Sequence, residues 1–301
     1  MLSIVVVTYD MARELPRTLR SLAPPCQREI GADDYEIIVV DNGSPTAVDA
    51  GMLRDIPVPI RVERIDPAPP SPAHAANVGI GLARGDLIGL FVDGARMASP
   101  GLLATALLAS RLHPRPVIAS LGWHLGPVTH MQAATAGYDQ AVEDDLLRER
   151  RWEDDPYVLF EISTFAGSSR GGWFAPLSES NGLFMPRAVW DELGGLDERF
   201  TTPGGGLVNL DLYRRACSLA GSRLITLLGE GTFHQIHGGA ATSRLVPMDA
   251  MKAEYEGLRG EEFRPPDNAS LYVGTMPDQA LTHLERSARM ANKERGPGPV
   301  T

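Results

Sequence analysis

DLIGLFVDGAR, residues 86–96, decides the fold. Positions 87–92 carry no polar side chain, the pattern of a strand buried on both faces, as in a parallel sheet. The run then meets Asp93 and Gly94, an acid and a permissive residue at a strand's carboxyl end. Open α/β sheets bind their ligands there.

Working outward, LSIVVVTY (2–9) and YEIIVVDNGS (35–44) read as two more buried strands, and IRVERI (60–65) as a third. Helical spacing follows the first strand, with Met11, Leu15, Leu19 and Leu22 on one face and Pro16 in an early turn. DPAPPSPA (66–73) is a proline-rich loop, and HAANVGIGLARG (74–85) is a helix stopped by Gly85. SPGLLATALLASRL (99–112) opens with Ser99 as expected N-cap and Pro100 at the first helical position. Strand and helix alternate over residues 1–112, which implies a doubly wound, mostly parallel sheet with right-handed crossovers. Its strand ends are Thr8-Tyr9-Asp10, Asp41-Asn42-Gly43 and Asp93-Gly94-Ala95. Three acids at three neighbouring strand ends are hard to explain as packing.

Residues 113–249 are expected to form a second half of the same domain. VIASLGWHLG (117–126) is a further strand, and QAVEDDLLRERRWEDD (140–155) reads as a charged, solvated helix. LSESNGLFMPRAVWDELGGLDERF (177–200) gives a turn, a short strand, a helix and a Gly-Gly stop. TTPGGGLVNLDLYRRACSLAG (201–221) is a glycine-rich loop and a helix, and SRLITLLGEGTFHQIHGG (222–239) is a strand running into His234 and His237. Residues 250–301 form a polar, partly helical extension ending in RGPGPVT, which is expected to be disordered.

The net charge of −10, with Lys252 and Lys293 the only lysines, argues against nucleic-acid binding. Cys26 and Cys217 are too few for a disulfide framework or a thiolate zinc site and read as reduced thiols, favouring the cytoplasm. The apolar start MLSIVVVTYD is too short for a signal peptide or a membrane span, and no other segment approaches spanning length. Peripheral membrane association stays compatible with the sequence.

The stretches SIVVVTYDMARELPRTLRSL, EIIVVDNGS, AANVGIGLARGDLIGLFVDG, NGLFMPRAVWDELGGLDERF and DLYRRACSLAG, in this order, resemble family 2 glycosyltransferases with the GT-A fold. The resemblance covers roughly residues 2–240. It implies an α/β, Rossmann-like sheet flanked by helices. It also implies transfer of a sugar from a nucleotide-diphosphate donor to a carbohydrate or other hydroxyl acceptor, usually with inversion and with Mn²⁺ or Mg²⁺, in polysaccharide biosynthesis. Two departures stand out. The metal-binding Asp-x-Asp of the family falls on Asp93-Gly94-Ala95, without its second carboxylate. The Glu-Asp pair that supplies the base falls on Val208-Asn209, leaving Asp211 as the nearby acid.

Thr8, Tyr9, Asp10 and Asp41 are therefore expected to hold the nucleotide. A carboxylate accepts hydrogen bonds from base N–H or ribose hydroxyl groups, and a tyrosine can stack on a base; a turn-forming Asp-Asn-Gly and a packed tyrosine are the competing readings. Asp93, with Gly94, is expected to hold the cation against the diphosphate, and Arg96 to pair with phosphate or stand in solvent. His237, with His234 in reserve, is expected to replace the missing carboxylate, since a neutral imidazole is a sound ligand for Mn²⁺. Asp211, beside Asn209, is a candidate base, competing with a helix-start role; Glu179 is the second candidate. Asn77 orients donor or loop, and Asp197 contacts sugar or acceptor, or each bonds backbone. Trp123, Trp152, Trp173 and Trp190 are candidates for stacking on an acceptor sugar, although Trp190 at least reads as helix packing. Loops around 201–208 and 238–250 are expected to close over the donor. Two rivals remain open: a non-catalytic nucleotide-sugar-binding protein, and a sugar nucleotidyltransferase, which would need a basic Gly-rich loop where TYDMARELP stands.

Overall fold

The computed structural model describes residues 1–238 and 246–294. The strands are β1 (Leu2–Thr8), β2 (Tyr35–Asp41), β3 (Ile60–Arg64), β4 (Leu87–Val92), β5 (Arg96–Ala98), β6 (Pro116–Leu125), β7 (Ser163–Phe165), β8 (Leu183–Pro186), β9 (Arg223–His234) and β10 (Leu271–Gly274). The helices are α1 (Leu15–Ser21), α2 (Ala73–Leu82), α3 (Leu102–Ala109), α4 (His130–Ala133), α5 (Gln140–Glu149), α6 (Arg187–Leu193), α7 (Val208–Ser218), α8 (Met248–Arg259) and α9 (Leu281–Glu294).

All ten strands join one sheet, in the order β10-β9-β6-β8-β4-β1-β2-β3, with β5 on β9 and β7 on β6. β1 pairs in parallel with both β2 and β4, and β6 with β9. β8 runs antiparallel between β4 and β6, joining the strands before and after residue 112. The mixed α/β, mostly parallel, helix-flanked sheet agrees with the expected fold class.

Period-two alternation sends the side chains of each central strand to two different cores. Val5, Val7, Ile38, Val40, Leu90 and Val92 meet α2, α6 and α7 on one face. Ile4, Val6, Ile37, Val39 and Phe91 meet α1 and α3 on the other. This double burial explains the unbroken apolar runs. The four tryptophans belong to the first core, with Trp123, Trp152, Trp173 and Trp190 at most 5% exposed. Trp123 packs against Phe160, Phe165, Trp173 and Phe233. None of the four faces solvent, which corrects the expected sugar-stacking role. Among the described residues no helix is long and apolar enough to cross a membrane. The RGPGPVT tail lies outside the described residues.

Two local expectations change. Helix α3 starts at Leu102 with Gly101 as its N-cap, and Ser99 does not cap it. The Ser99 hydroxyl instead donates to the buried Glu230 on β9, at 2.5 Å, and Tyr157 Oη and the Gly101 N–H donate to the same carboxyl group. The run 140–155 is not a merely solvated face, because Glu143 is fully buried.

Burial pushes Glu230 up to about 7, against the three donors that favour its anion. A carboxyl group raised in the folded state contributes stability below its unfolded pKa and loses it as pH rises through the folded one. Glu230→Gln stays neutral throughout. Its thermal midpoint should therefore gain on the wild type between pH 5 and pH 8, by on the order of 2 kcal/mol in stability. Parallel melting curves across that range would show that Glu230 does not titrate there.

Candidate functional site

The site forms at the carboxyl end of β4. Asp93 follows that strand directly, and its Oδ1 accepts the Ala95 N–H at 3.1 Å, which closes a tight turn. β5 then runs antiparallel to the end of β9, placing Arg96 opposite His234. The Gln235 N–H donates to the Ala95 carbonyl at 2.9 Å and continues that pairing. His234 Nε2 lies 3.3 Å and His237 Nε2 lies 3.6 Å from Asp93 Oδ2. The two Nε2 atoms are 2.9 Å apart. One oxygen and two nitrogens thus converge as a possible three-donor set.

The family's second carboxylate position has a packing explanation. Ala95 is fully buried, in the apolar cluster with Phe91, Leu15 and Ala98. Residue 95 therefore faces the core, and the imidazoles reach Asp93 from β9 instead.

The loop bearing them is braced from three sides. Gln235 Nε2 donates to the Glu14 carbonyl and to Thr18 Oγ1 on α1. The Ile236 N–H donates to Glu143 of α5 at 2.8 Å. Arg13 donates to the Ile236 carbonyl and pairs with Glu143 and Asp144. The acids of the 140–155 run therefore position the histidine loop. Neither Arg13 nor Glu143 carried a local sequence signal, because each braces the loop through partners far away in the chain, Ile236 being 93 residues from Glu143 and 223 from Arg13.

Burial raises the Asp93 pKa, but the His234 and Arg96 charges and the imidazole hydrogen bonds outweigh it and hold Asp93 well below the usual carboxylate range. Burial pushes His234 down to about 4, so it is neutral near pH 7 with a lone pair available. Burial also lowers His237, but its hydrogen bond and attraction to Asp93 prevail and raise it. Asp93 is thus anionic, beside one neutral and one more basic imidazole.

Two further histidines adjoin this set. His124, near the end of β6, and His130, at the start of α4, stack at 4.1 Å, and their ring centroids lie 5.6 and 5.0 Å from that of His234. Burial drives His124 down to about 2 and His130 lower still. The sequence reading missed both, since His124 sits inside an apolar strand and His130 in an irregular stretch.

Thr8 and Asp41 end adjacent strands in register. Thr8 is buried, and Tyr9 beyond it is 54% exposed. Asp10 has a left-handed backbone, φ 53°, and its N–H donates to Ser44 Oγ. Asp41 is 1% exposed, accepting from the Ser44 N–H and from Arg64 at 2.7 Å. Arg64 is thus a further polar group at this strand end. Gly94 allows close approach, because a Cβ there would sit 2.8 Å from Thr8 Oγ1.

Asn77 is spoken for: its amide bonds the Leu196 carbonyl, the Leu196 N–H and Glu198, tying α2 to the turn after α6. Asn209, in the first turn of α7, has a buried Oδ1 without a hydrogen-bond partner. Asp211 is 1% exposed and held on both oxygens, by Arg259 at 2.5 and 2.7 Å and by Arg215 at 2.7 Å. Arg259 also binds Asp197, which Arg199 grips as well. These acids form an ionic clasp between α7, α8 and the loop after α6, with no free oxygen edge for an acceptor proton. The expected base at Asp211 and sugar contact at Asp197 are not supported by this arrangement.

Glu179 differs. β8 meets β4 with Leu183 opposite Leu90, so residues 179–182 extend past the strand end that bears Asp93. Glu179 is partly exposed and makes no hydrogen bond or ion pair among the described residues. Of the expected closing loops, residues 203–205 form a 3₁₀ turn, and 239–245 lie outside the described residues.

Residues 3–107 match the model described as Glycosyl transferase family 2. Over that third of the chain it is similar to family 2 glycosyltransferases, and the whole sheet shares the GT-A fold of the structures below. The chain is 25% identical over 311 residues to Validoxylamine A glucosyltransferase of Streptomyces hygroscopicus subsp. jinggangensis, across 98% of this chain and 69% of that one. It is similar to TarS 1-349 of S. aureus at TM-score 0.52 and 14% identity, across 85% of this chain and 65% of that one. It is also similar to the mannosyltransferase PcManGT from Pyrobaculum calidifontis, solved with GDP-Man and Mn²⁺, at TM-score 0.53 and 15% identity, across 96% of this chain and 69% of that one. The chain thus spans less than two thirds of the TarS fragment's length.

If Asp211 only clasps helices, Asp211→Asn should cost about 2–3 kcal/mol of stability, as charge-assisted bonds are lost. Its kcat, measured well below the melting temperature, should stay within a few-fold of wild type. A fall of a hundredfold or more with an unchanged melting temperature would return Asp211 to the role of base.

Proposed function

We propose that this chain is a glycosyltransferase that takes its sugar from a nucleotide-diphosphate donor and passes it, with inversion, to a hydroxyl acceptor, with Mn²⁺ or Mg²⁺ held by Asp93, His237 and His234. The observation that carries this reading is the convergence of Asp93 Oδ2 and two imidazole Nε2 atoms within 2.9–3.6 Å of one another at the tip of β4. The donors fit such an ion: one anionic oxygen and a neutral imidazole suit Mn²⁺. Among the relatives, PcManGT was solved with GDP-Man and Mn²⁺, and TarS with UDP and UDP-GlcNAc.

Bound there, the ion would neutralise diphosphate charge and stabilise the departing nucleotide. The chain's own groups do the rest. Exposed Tyr9 offers a face for the base, while Thr8, Asp10 and Asp41, with its Arg64 partner, line the neighbouring strand ends. Gly94 leaves room for Thr8, whose side chain takes the place that a Cβ would fill. Glu179 is the base, because its carboxylate is uncommitted and stands past the same strand end; it takes the acceptor proton as the anomeric carbon is attacked.

Thermal shifts with UDP, GDP, CDP and dTDP, each with and without Mn²⁺, identify the donor class by selective stabilisation. Asp93→Ala should abolish the Mn²⁺-dependent part of the shift and keep any metal-independent part. An undiminished metal-dependent shift in that variant would sink the assignment. Glu179→Gln should lower kcat by roughly 10²–10⁴ with donor binding intact, as for removal of a general base. Wild-type turnover in that variant would exclude Glu179.

A further inference from the structure

His130 is 4% exposed, and among the described residues neither of its ring nitrogens has a hydrogen-bond partner. A neutral imidazole carries one N–H and one lone pair, and burying both unmet is costly enough to need an explanation. One ring nitrogen each of His124, His130 and His234 lies within 4.8 Å of the other two. Three imidazoles suggest a second cation, but the hydrogen bonding rules it out. The His130 backbone N–H donates to His124 Nδ1 at 2.9 Å, which takes that lone pair. The proton of neutral His124 is then on Nε2, leaving no lone pair for a metal. His234 meanwhile has Nε2 turned to Asp93 and His237. Among the described residues, what stays unmatched in the group is both ring nitrogens of His130, the Nε2–H of His124 and the second ring position of His234, and the His130 lone pair is the acceptor among them.

We propose that His130 is a positioning residue: it accepts the Nδ1–H of His234 across one bridging water, and so holds the tautomer whose Nε2 lone pair faces Asp93. This rests on the metal reading above. A metal-bound imidazole characteristically donates its other N–H to a fixed partner, which sets ring orientation and basicity. The stack on His124, itself tied to the His130 amide, fixes the accepting ring in its plane.

Mn²⁺ alone is titrated calorimetrically into the full chain as wild type, His130→Phe, His130→Gln and Asp93→Ala, with melting temperatures as fold controls. Phe keeps a stacking ring and lacks an acceptor; Gln restores one. The Phe variant should bind Mn²⁺ roughly 10–100-fold more weakly, and the Gln variant within a few-fold of wild type. Wild-type affinity in the Phe variant, or equal loss in both, overturns the proposal. A second measurement needs no variant to fold. In Mg²⁺-saturated wild type, ¹H–¹⁵N spectra should show His234 protonated on Nδ1 with a slowly exchanging proton; protonation on Nε2, or a freely exchanging Nδ1 proton, overturns it. If Asp93→Ala binds Mn²⁺ as wild type does, the metal reading falls and this inference with it. If Asp93→Ala loses the ion and His130→Phe does not, only the role of His130 falls.

Discussion

The pairing of β5 with the end of β9 is the constraint on which the site depends. Through it, a carboxylate from the first half of the chain meets imidazoles from the far end of the second. The backbone bonds that make it are ordinary sheet bonds, continued by the amide of Gln235. Rigidity follows from the fold and needs no dedicated device. Around it, α1 and α5 grip residues 235–236 by side chains reaching the loop's own backbone. A site assembled this way pays its ordering entropy during folding rather than at binding.

Much of the sheet was legible because strands buried on both faces leave a simple trace, an unbroken apolar run ending in acids. The helices between them were legible for the same reason. Legibility stopped where a residue's role is set by something distant. Ser99 reads as a helix cap, yet a buried carboxyl on β9 takes its hydroxyl. Asp211 reads as a helix-start acid with chemistry open to it, until Arg259 arrives from α8. The acids after residue 140 read as a wet face, although one of them is sealed beneath the histidine loop.

The candidate site divides along the same line. His234 and His237 stood out because they share a loop directly after a long strand. Asp93 stood out because it ends one. Their mutual approach could be stated as an expectation, but its distances needed the fold. His124 and His130 have no such signature, since their relation is a ring stack formed across a turn. Glu179 gained weight by elimination: Asp211 is occupied and, among the described residues, Glu179 is not.

The inward-facing methyl group of Ala95 carries one more consequence. An engineer aligning this chain to its relatives would be tempted to restore the missing acid. That substitution would thrust a charge into an oily layer beneath the cleft, far from any solvent to receive it. Position 95 is thus closed to a carboxylate by its own packing, and placing one there would require redesigning the hydrophobic layer below.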